Sequence, residues 1–192
     1  MRRVPYPVAI ITATDPTGSA DTSSFRGMTV SSFNTVTLSP TPIISFNVRR
    51  PSETLTALLA SGRFLVHLLA PGPETATLAR DFSKGNTTLP AMLSGHGDFE
   101  FGALEVDSQG EDESRPLPLL RRRENRGKEG MVDFPFVFEC VLLPQQIHVH
   151  DHSIVLGSVV RVVEGERVDG DEADRLCLSY ADTKFWKMGK QI

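Results

Sequence analysis

Two arginines run directly into a serine where an apolar stretch gives way to a helical one: Asn47-Val48-Arg49-Arg50-Pro51-Ser52-Glu53-Thr54-Leu55. Ser52 is a natural N-cap there. Guanidinium groups supply charge, and the free N–H groups and partial positive charge of a helix end supply direction, so this junction can hold a phosphate. The same residues also describe an ordinary capped helix with surface arginines. No Gly-rich dinucleotide fingerprint and no phosphate loop of the nucleotidase type occurs in the chain, so the standard nucleotide folds are not supported.

Upstream lies a second group of chemistry-bearing residues, Arg26-Gly27-Met28-Thr29-Val30-Ser31-Ser32-Phe33-Asn34-Thr35-Val36-Thr37-Leu38-Ser39-Pro40. Taken as one strand, it places Thr29, Ser31, Thr35 and Thr37 on one face and Met28, Val30, Val36 and Leu38 on the other. A strand with one apolar face and one face of small hydroxyls either lines a pocket for a flat, polar-edged ligand or is a half-solvated edge strand. The third group is His148-Val149-His150-Asp151-His152, three histidines that share a face at strand spacing. No fourth ligand of matching spacing accompanies them, so the motif favours a histidine beside a bound ligand over a metal.

Nucleophilic catalysis finds little to work with. The chain has no Gly-x-Ser-x-Gly elbow, and its two cysteines, Cys140 and Cys177, each sit in apolar surroundings. Paired carboxylates occur in charged, polar stretches, where solvation accounts for them. Hydroxyls and a phosphate anchor without a nucleophile or an acid–base pair point to a cofactor that carries the reaction itself.

The elements that must position these residues are mostly strands. Pro7–Thr14, Gly27–Val36, Pro42–Val48, Arg63–Leu69, Phe134–Leu143, Gln145–His152 and Ile154–Glu164 are rich in Val, Ile, Phe and Thr and bounded by Gly, Pro or polar turns. Two short helices interrupt them. Ser52–Ser61 has Gly62 as its stop, and Pro73–Phe82 opens on proline. The pattern predicts a mainly β fold, a barrel with small helices packed at its ends. Asp107–Asp133 carries an acidic block followed by a basic one, which predicts a solvated mobile loop; a lid or a docking element is the alternative.

Composition narrows the class further. The 192 residues, 40% of them apolar, suit one substantial core and a single domain. A net charge of -4 argues against nucleic acid as the main partner. No apolar run reaches membrane-spanning length. The opening Met1-Arg2-Arg3-Val4-Pro5-Tyr6-Pro7 leads into a strand-like run and not a signal peptide. Two distant cysteines make no disulfide framework, so a reducing compartment, the cytoplasm, is expected.

With these pieces in order, the chain resembles the flavin reductase-like family and its FMN-binding split-barrel fold. The resemblance rests on Arg26 to Phe33, Leu38 to Pro42 and the Arg49 to Leu55 helix entry. It extends to Val4 to Ala13, Ser61 to Leu69, Leu78 to Phe82, Asp151 to Val159 and the closing Leu178 to Trp186. Nearly the whole chain is covered except roughly residues 85 to 133.

The resemblance implies FMN, less often FAD, held at a homodimer interface and reduced by NADH or NADPH. It also suggests the supply of reduced flavin to a partner monooxygenase. Thr29, Val30, Ser31 and Ser32 would contact the isoalloxazine and ribityl chain, with the chain turning near Phe33 and Asn34. Asn47, Arg49, Arg50 and Ser52 would surround the phosphate. His152 matches the nicotinamide side of the pocket, while Tyr180, Lys184, Phe185 and Trp186 would approach the flavin from the closing segment.

Two departures stand out: His67 where the family often has Asn, which could alter a hydrogen bond beside the flavin, and a long charged insertion at about 85–133. The insertion keeps open an FMN enzyme acting directly on an organic substrate, and a non-catalytic flavin-binding module is a further alternative.

Overall fold

The structure is a computed structural model that describes residues 2–85, 90, 92, 96–104, 115–124, 132–165 and 175–188. Its centre is a curled antiparallel sheet. Along the sheet run β3 (Phe25–Val30), β2 (Ala9–Thr14), β6 (Arg63–Leu68), β9 (Phe136–Leu142), β11 (His152–Gly165), β5 (Ile43–Arg49) and β4 (Asn34–Thr37), with β10 (Ile147–Val149) paired to β11. Two smaller sheets flank it: β7 (Phe99–Leu104) with β8 (Leu117–Arg122), and β1 (Tyr6–Pro7) with β12 (Leu178–Ala181) and β13 (Lys184–Lys187). The architecture is mainly β, as expected, a curled half-barrel with helices at its periphery.

Both helices form where their end signals place them. α1 (Glu53–Ser61) starts at Ser52, whose Oγ accepts the Leu55 N–H at 3.2 Å. It ends at Gly62, which adopts the left-handed region at φ 68° and donates its N–H to the Leu58 carbonyl. α2 (Pro73–Phe82) opens on proline, where the missing N–H costs nothing.

The predicted strand Gly27–Val36 divides in two. β3 pairs with β2 and β4 pairs with β5, so its halves lie at opposite margins of the sheet. The break falls at Ser31–Phe33, close to the turn the resemblance implied. The parity expectation fails with it: Met28 and Val30 are buried, but Val36 and Leu38 are 55% and 74% exposed. An edge strand beside water has no core to impose alternation.

The sheet's two margins meet through a side chain. Ser32, just past β3, accepts the backbone N–H of Asn47 on β5 at 2.8 Å. A hydroxyl bridge in place of a full ladder leaves β3 and β5 parted above it, and that gap is where the candidate site forms.

β2 is buried on both faces. Ala9, Ile11 and Ala13 face a cluster with Phe46, Leu58 and Phe64, where the rings of Phe46 and Phe64 meet edge to face at 5.6 Å. Ile10 faces a second cluster with Leu65, Leu69, Leu120 and Val137. Thr12 and Thr14, on that same side, donate to the carbonyls of Pro118 and Pro116 at 2.6 and 2.5 Å. His67, fully buried, completes the row: its Nε2 accepts the Leu120 N–H at 3.0 Å. One edge of β8 pairs with β7, and the other is satisfied by barrel side chains at every second residue.

This arrangement corrects the reading of Asp107–Asp133 as a solvated loop throughout. Its middle is β8, whose Leu117 and Leu120 are buried. The basic residues that follow are in ion pairs: Arg121 and Arg123 with Glu100, and Arg122 with Asp133. Four apolar positions, Leu117 to Leu120, outweighed the charge around them. Residues 105–114 and 125–131, which hold the acidic block and much of the basic one, lie outside the described residues.

His67 takes a structural place, the one its isolation from other chemistry-bearing residues in the sequence favours. It belongs to the core between β2, β6 and β8. The predicted strand Gln145–His152 becomes β10 and a tight turn at His150 and Asp151, with His150 at φ 50°. The chain reverses there, so the three histidines do not share a face.

Candidate functional site in the gap between β3 and β5

A cleft of about 340 Å³ occupies the gap. Met28, Thr29 and Val30 of β3 form one wall, and Asn47, Val48 and Arg49 of β5 the other. Pro51, Ser52, Glu53 and Thr54 bring in the N-terminus of α1, while Phe82, Ser83 and Gly85 bring in the end of α2. Five sequence-predicted residues therefore meet: Thr29, Val30, Asn47, Arg49 and Ser52.

Their side chains are not all free. Thr29 donates its hydroxyl to the Ala79 carbonyl of α2 at 2.7 Å, so what it offers the cleft is backbone. Ser52 caps α1 and directs its hydroxyl toward the Met28 sulfur at 3.7 Å. Arg49 lines the cleft, and its Nε donates to Asp151 Oδ2 at 3.1 Å. Arg50 turns to the next turn of chain, where its Nη2 donates to the His150 carbonyl at 2.6 Å.

Sequence reasoning missed Thr54 and Phe82. Thr54 stands in the first turn of α1, 2% exposed, with its residue on the cleft wall. Its spacing from Ser52 was the available signal, because both fall in the turn whose N–H groups lack helical partners. Phe82 packs against Gly27 so closely that a Cβ there would sit 2.4 Å from the ring. Gly27 is what lets α2 approach β3 and close the cleft's end.

The remaining predicted residues lie around this centre. Ser31 follows β3 at the break, and Ser32 forms the hydroxyl bridge to Asn47. His152 opens β11 directly opposite Arg49 in the β5–β11 register. Its Nδ1 lies 2.8 Å from Asp151 Oδ1, a hydrogen bond that holds the Asp151 carboxyl below its usual range. His148 instead pairs with Ser153 Oγ at 3.0 Å. Among the described residues no group of three or more His, Cys, Asp or Glu is arranged to hold a metal.

Tyr180, Lys184, Phe185 and Trp186 belong to the β12–β13 hairpin and are not among the residues lining the cleft. Tyr180 and Phe185 stack edge to face at 5.4 Å, and Trp186 donates its indole N–H to the Ala181 carbonyl. The hairpin packs on α2, with the Arg80 guanidinium 5.7 Å from the Phe185 ring centre. The last turn of α2 thus serves both, with Arg80 on the hairpin and Phe82 on the cleft.

The arrangement suits a ligand with an anionic end and a flat body: an arginine and a helix N-terminus at one end, two backbone walls along its length. The flavin reductase-like domain model matches residues 1–188. The NADH:FMN oxidoreductases of Rhodococcus qingshengii and Rhodococcus erythropolis are each 28% identical over 187 residues, covering 97% of this chain and 78% of theirs. Among solved structures, the fold resembles BorF, the flavin reductase component of a bacterial two-component tryptophan halogenase. The TM-score is 0.65 and the identity 21%, over 99% of this chain and 94% of that one. Flavin reductase HpaC, solved with NADP+, aligns with a TM-score of 0.64 and 24% identity over 98% and 93% of the two chains. A model spanning almost every residue settles the family: the chain belongs to the flavin reductase-like domain family.

Proposed function

We propose that this protein is an NAD(P)H:flavin oxidoreductase that reduces FMN, with FAD as an alternative flavin, in the cleft between β3 and β5. The observation that carries the reading is the convergence of Arg49, Ser52 and Thr54 at the α1 N-terminus, at one end of walls built from Met28–Val30 and Asn47. The Rhodococcus relatives, named NADH:FMN oxidoreductases, match almost the whole chain.

Each residue has a defined part in this reading. Arg49 and the first turn of α1 bind the phosphate, with Arg50 and Ser52 holding the junction in shape. The β3 backbone and Ser31, Ser32 and Asn47 orient the ribityl chain and the ring edge. Bound there, the flavin supplies the hydride-accepting N5 for the nicotinamide C4. His152, across the ladder from Arg49, contacts the nicotinamide side. Tyr180, Lys184, Phe185 and Trp186 reach the flavin from the hairpin that α2 supports. The protein's work is placement and exclusion of water.

The chain functions as a homodimer in this reading. Val36 on edge strand β4 and Leu38 just past it are exposed, as are Val160 and Val162 on β11, at 55% and 57%. An unpaired edge with exposed apolar residues is a pairing surface when a second copy covers it. The reduced flavin passes to a partner monooxygenase. The free cysteines Cys140 and Cys177 suit the cytoplasm, and no helix among the described residues is long and apolar enough to cross a membrane.

The test is steady-state oxidation of NADH and NADPH with FMN, FAD or no flavin added. Oxidation that depends on added flavin and saturates in it supports the reading, and rates independent of the protein contradict it.

A further inference from the structure

We propose that Asp151 is the positioning residue for the hydride-transfer side of the site, acting through His152. This rests on the reading of His152 as the nicotinamide-side residue. The two oxygens of the Asp151 carboxylate are divided between Arg49, which lines the cleft, and His152, which stands opposite Arg49 in the strand ladder. Oδ1 lies 2.8 Å from His152 Nδ1, and Oδ2 accepts from Arg49 Nε at 3.1 Å. The Asp151 backbone carbonyl accepts the Arg50 N–H at 2.7 Å, which ties the turn to the strand–helix junction. Arg49 and His152 face each other in the ladder, so one carboxylate spans the directly opposed pair.

The consequence for His152 is chemical. A carboxylate accepts and cannot donate, so the neutral ring keeps its proton on Nδ1 and presents Nε2 outward as an acceptor. An acceptor at that position fits the amide N–H₂ of a nicotinamide. Without Asp151 the ring is free to rotate and to take the other tautomer, which turns a donor toward the same amide. The side chains of Arg49, Asp151 and His152 are all substantially exposed in the single chain, so the triad adds little to stability; its use is orientation.

The experiment combines ¹⁵N NMR of histidine-labelled protein, with the His152 signal assigned by His152→Gln, and steady-state kinetics of Asp151→Ala, Asp151→Asn and His152→Ala. The proposal predicts Nδ1–H in the wild type, loss of that single tautomer in Asp151→Ala, and retention in Asp151→Asn, whose amide oxygen still accepts. It predicts a KM for NADH raised about tenfold in Asp151→Ala, with FMN affinity within about twofold of wild type, and recovery of most of the loss in Asp151→Asn. A wild-type ring protonated on Nε2 overturns the proposal. So does an unchanged KM for NADH in Asp151→Ala when His152→Ala is impaired. Unaltered nicotinamide kinetics in His152→Ala overturns the His152 assignment and this proposal together.

Discussion

His67 Nε2 accepts the backbone N–H of Leu120 at 3.0 Å, and its Nδ1 lies 3.3 Å from the Ile10 carbonyl, inside a core where the ring is fully buried. An accepting Nε2 places the proton on Nδ1, so both nitrogens are used only while the ring is neutral. Protonation would set one N–H against another, and burial pushes the His67 pKa down to about 3 from an ordinary value of 6.5. The folded-state value lies below the unfolded one, so the unfolded chain takes up the proton first as pH falls. His67 therefore contributes stability that is present above pH 6.5 and is lost progressively between 6.5 and about 3. Within that window the slope is about 1.4 kcal/mol per pH unit. Urea unfolding from pH 7 to pH 4 checks this. His67→Gln, which cannot titrate, should be less stable at pH 7 but lose less on acidification; parallel curves would contradict the assignment.

Gly27 and Phe82 meet where β3 and α2 close the end of the cleft. A methyl at residue 27 would overlap the ring of Phe82, which is buried. Gly27→Ala should cost about 1–3 kcal/mol in urea unfolding and weaken FMN binding by moving α2 off β3. A variant with wild-type stability and wild-type flavin affinity would show that the ring is not fixed there.

The two arginines should separate by ligand. Arg49 lines the cleft, whereas Arg50 is committed to the His150 carbonyl. Arg49→Ala should weaken FMN by about tenfold or more and leave riboflavin, which lacks the phosphate, within about twofold. Arg50→Ala should have the smaller effect on FMN. Fluorescence titration of both flavins reads the difference, and equal losses for the two ligands would remove the phosphate assignment.

Glu53 sets up an opposition at the same helix end. Its carboxylate lines the cleft 3.7 Å from Arg26 Nε, in the first turn of α1 where a phosphate would also gather. Glu53→Gln should tighten FMN about two- to fivefold at low salt, with riboflavin unchanged, and lower thermal stability slightly. Tightening that persists at high salt would not be electrostatic.

The helix ends were legible because Ser52, Gly62 and Pro73 each satisfy a local backbone requirement that does not depend on the fold. The strand at 27–36 was legible only in part. Its residues favour extension throughout, but whether Val36 faces a core or water depends on which strand it joins, and that partner lies outside the segment. β8 was hidden for the opposite reason: four apolar residues stood between charged blocks, and the groups that anchor them, Thr12, Thr14 and His67, are 53 to 106 residues away in sequence. Within the site, Arg49 and Ser52 could be found from spacing. Phe82 could not, since only the packing of α2 against Gly27 brings it there.

The most direct test of the central claim is anaerobic addition of NADH to the purified protein with stoichiometric FMN, followed through the visible flavin band. The band should bleach at a rate set by the protein concentration, more slowly in His152→Ala, and oxygen should restore its full absorbance. Bleaching no faster than in a protein-free mixture, with either NADH or NADPH, would contradict that claim.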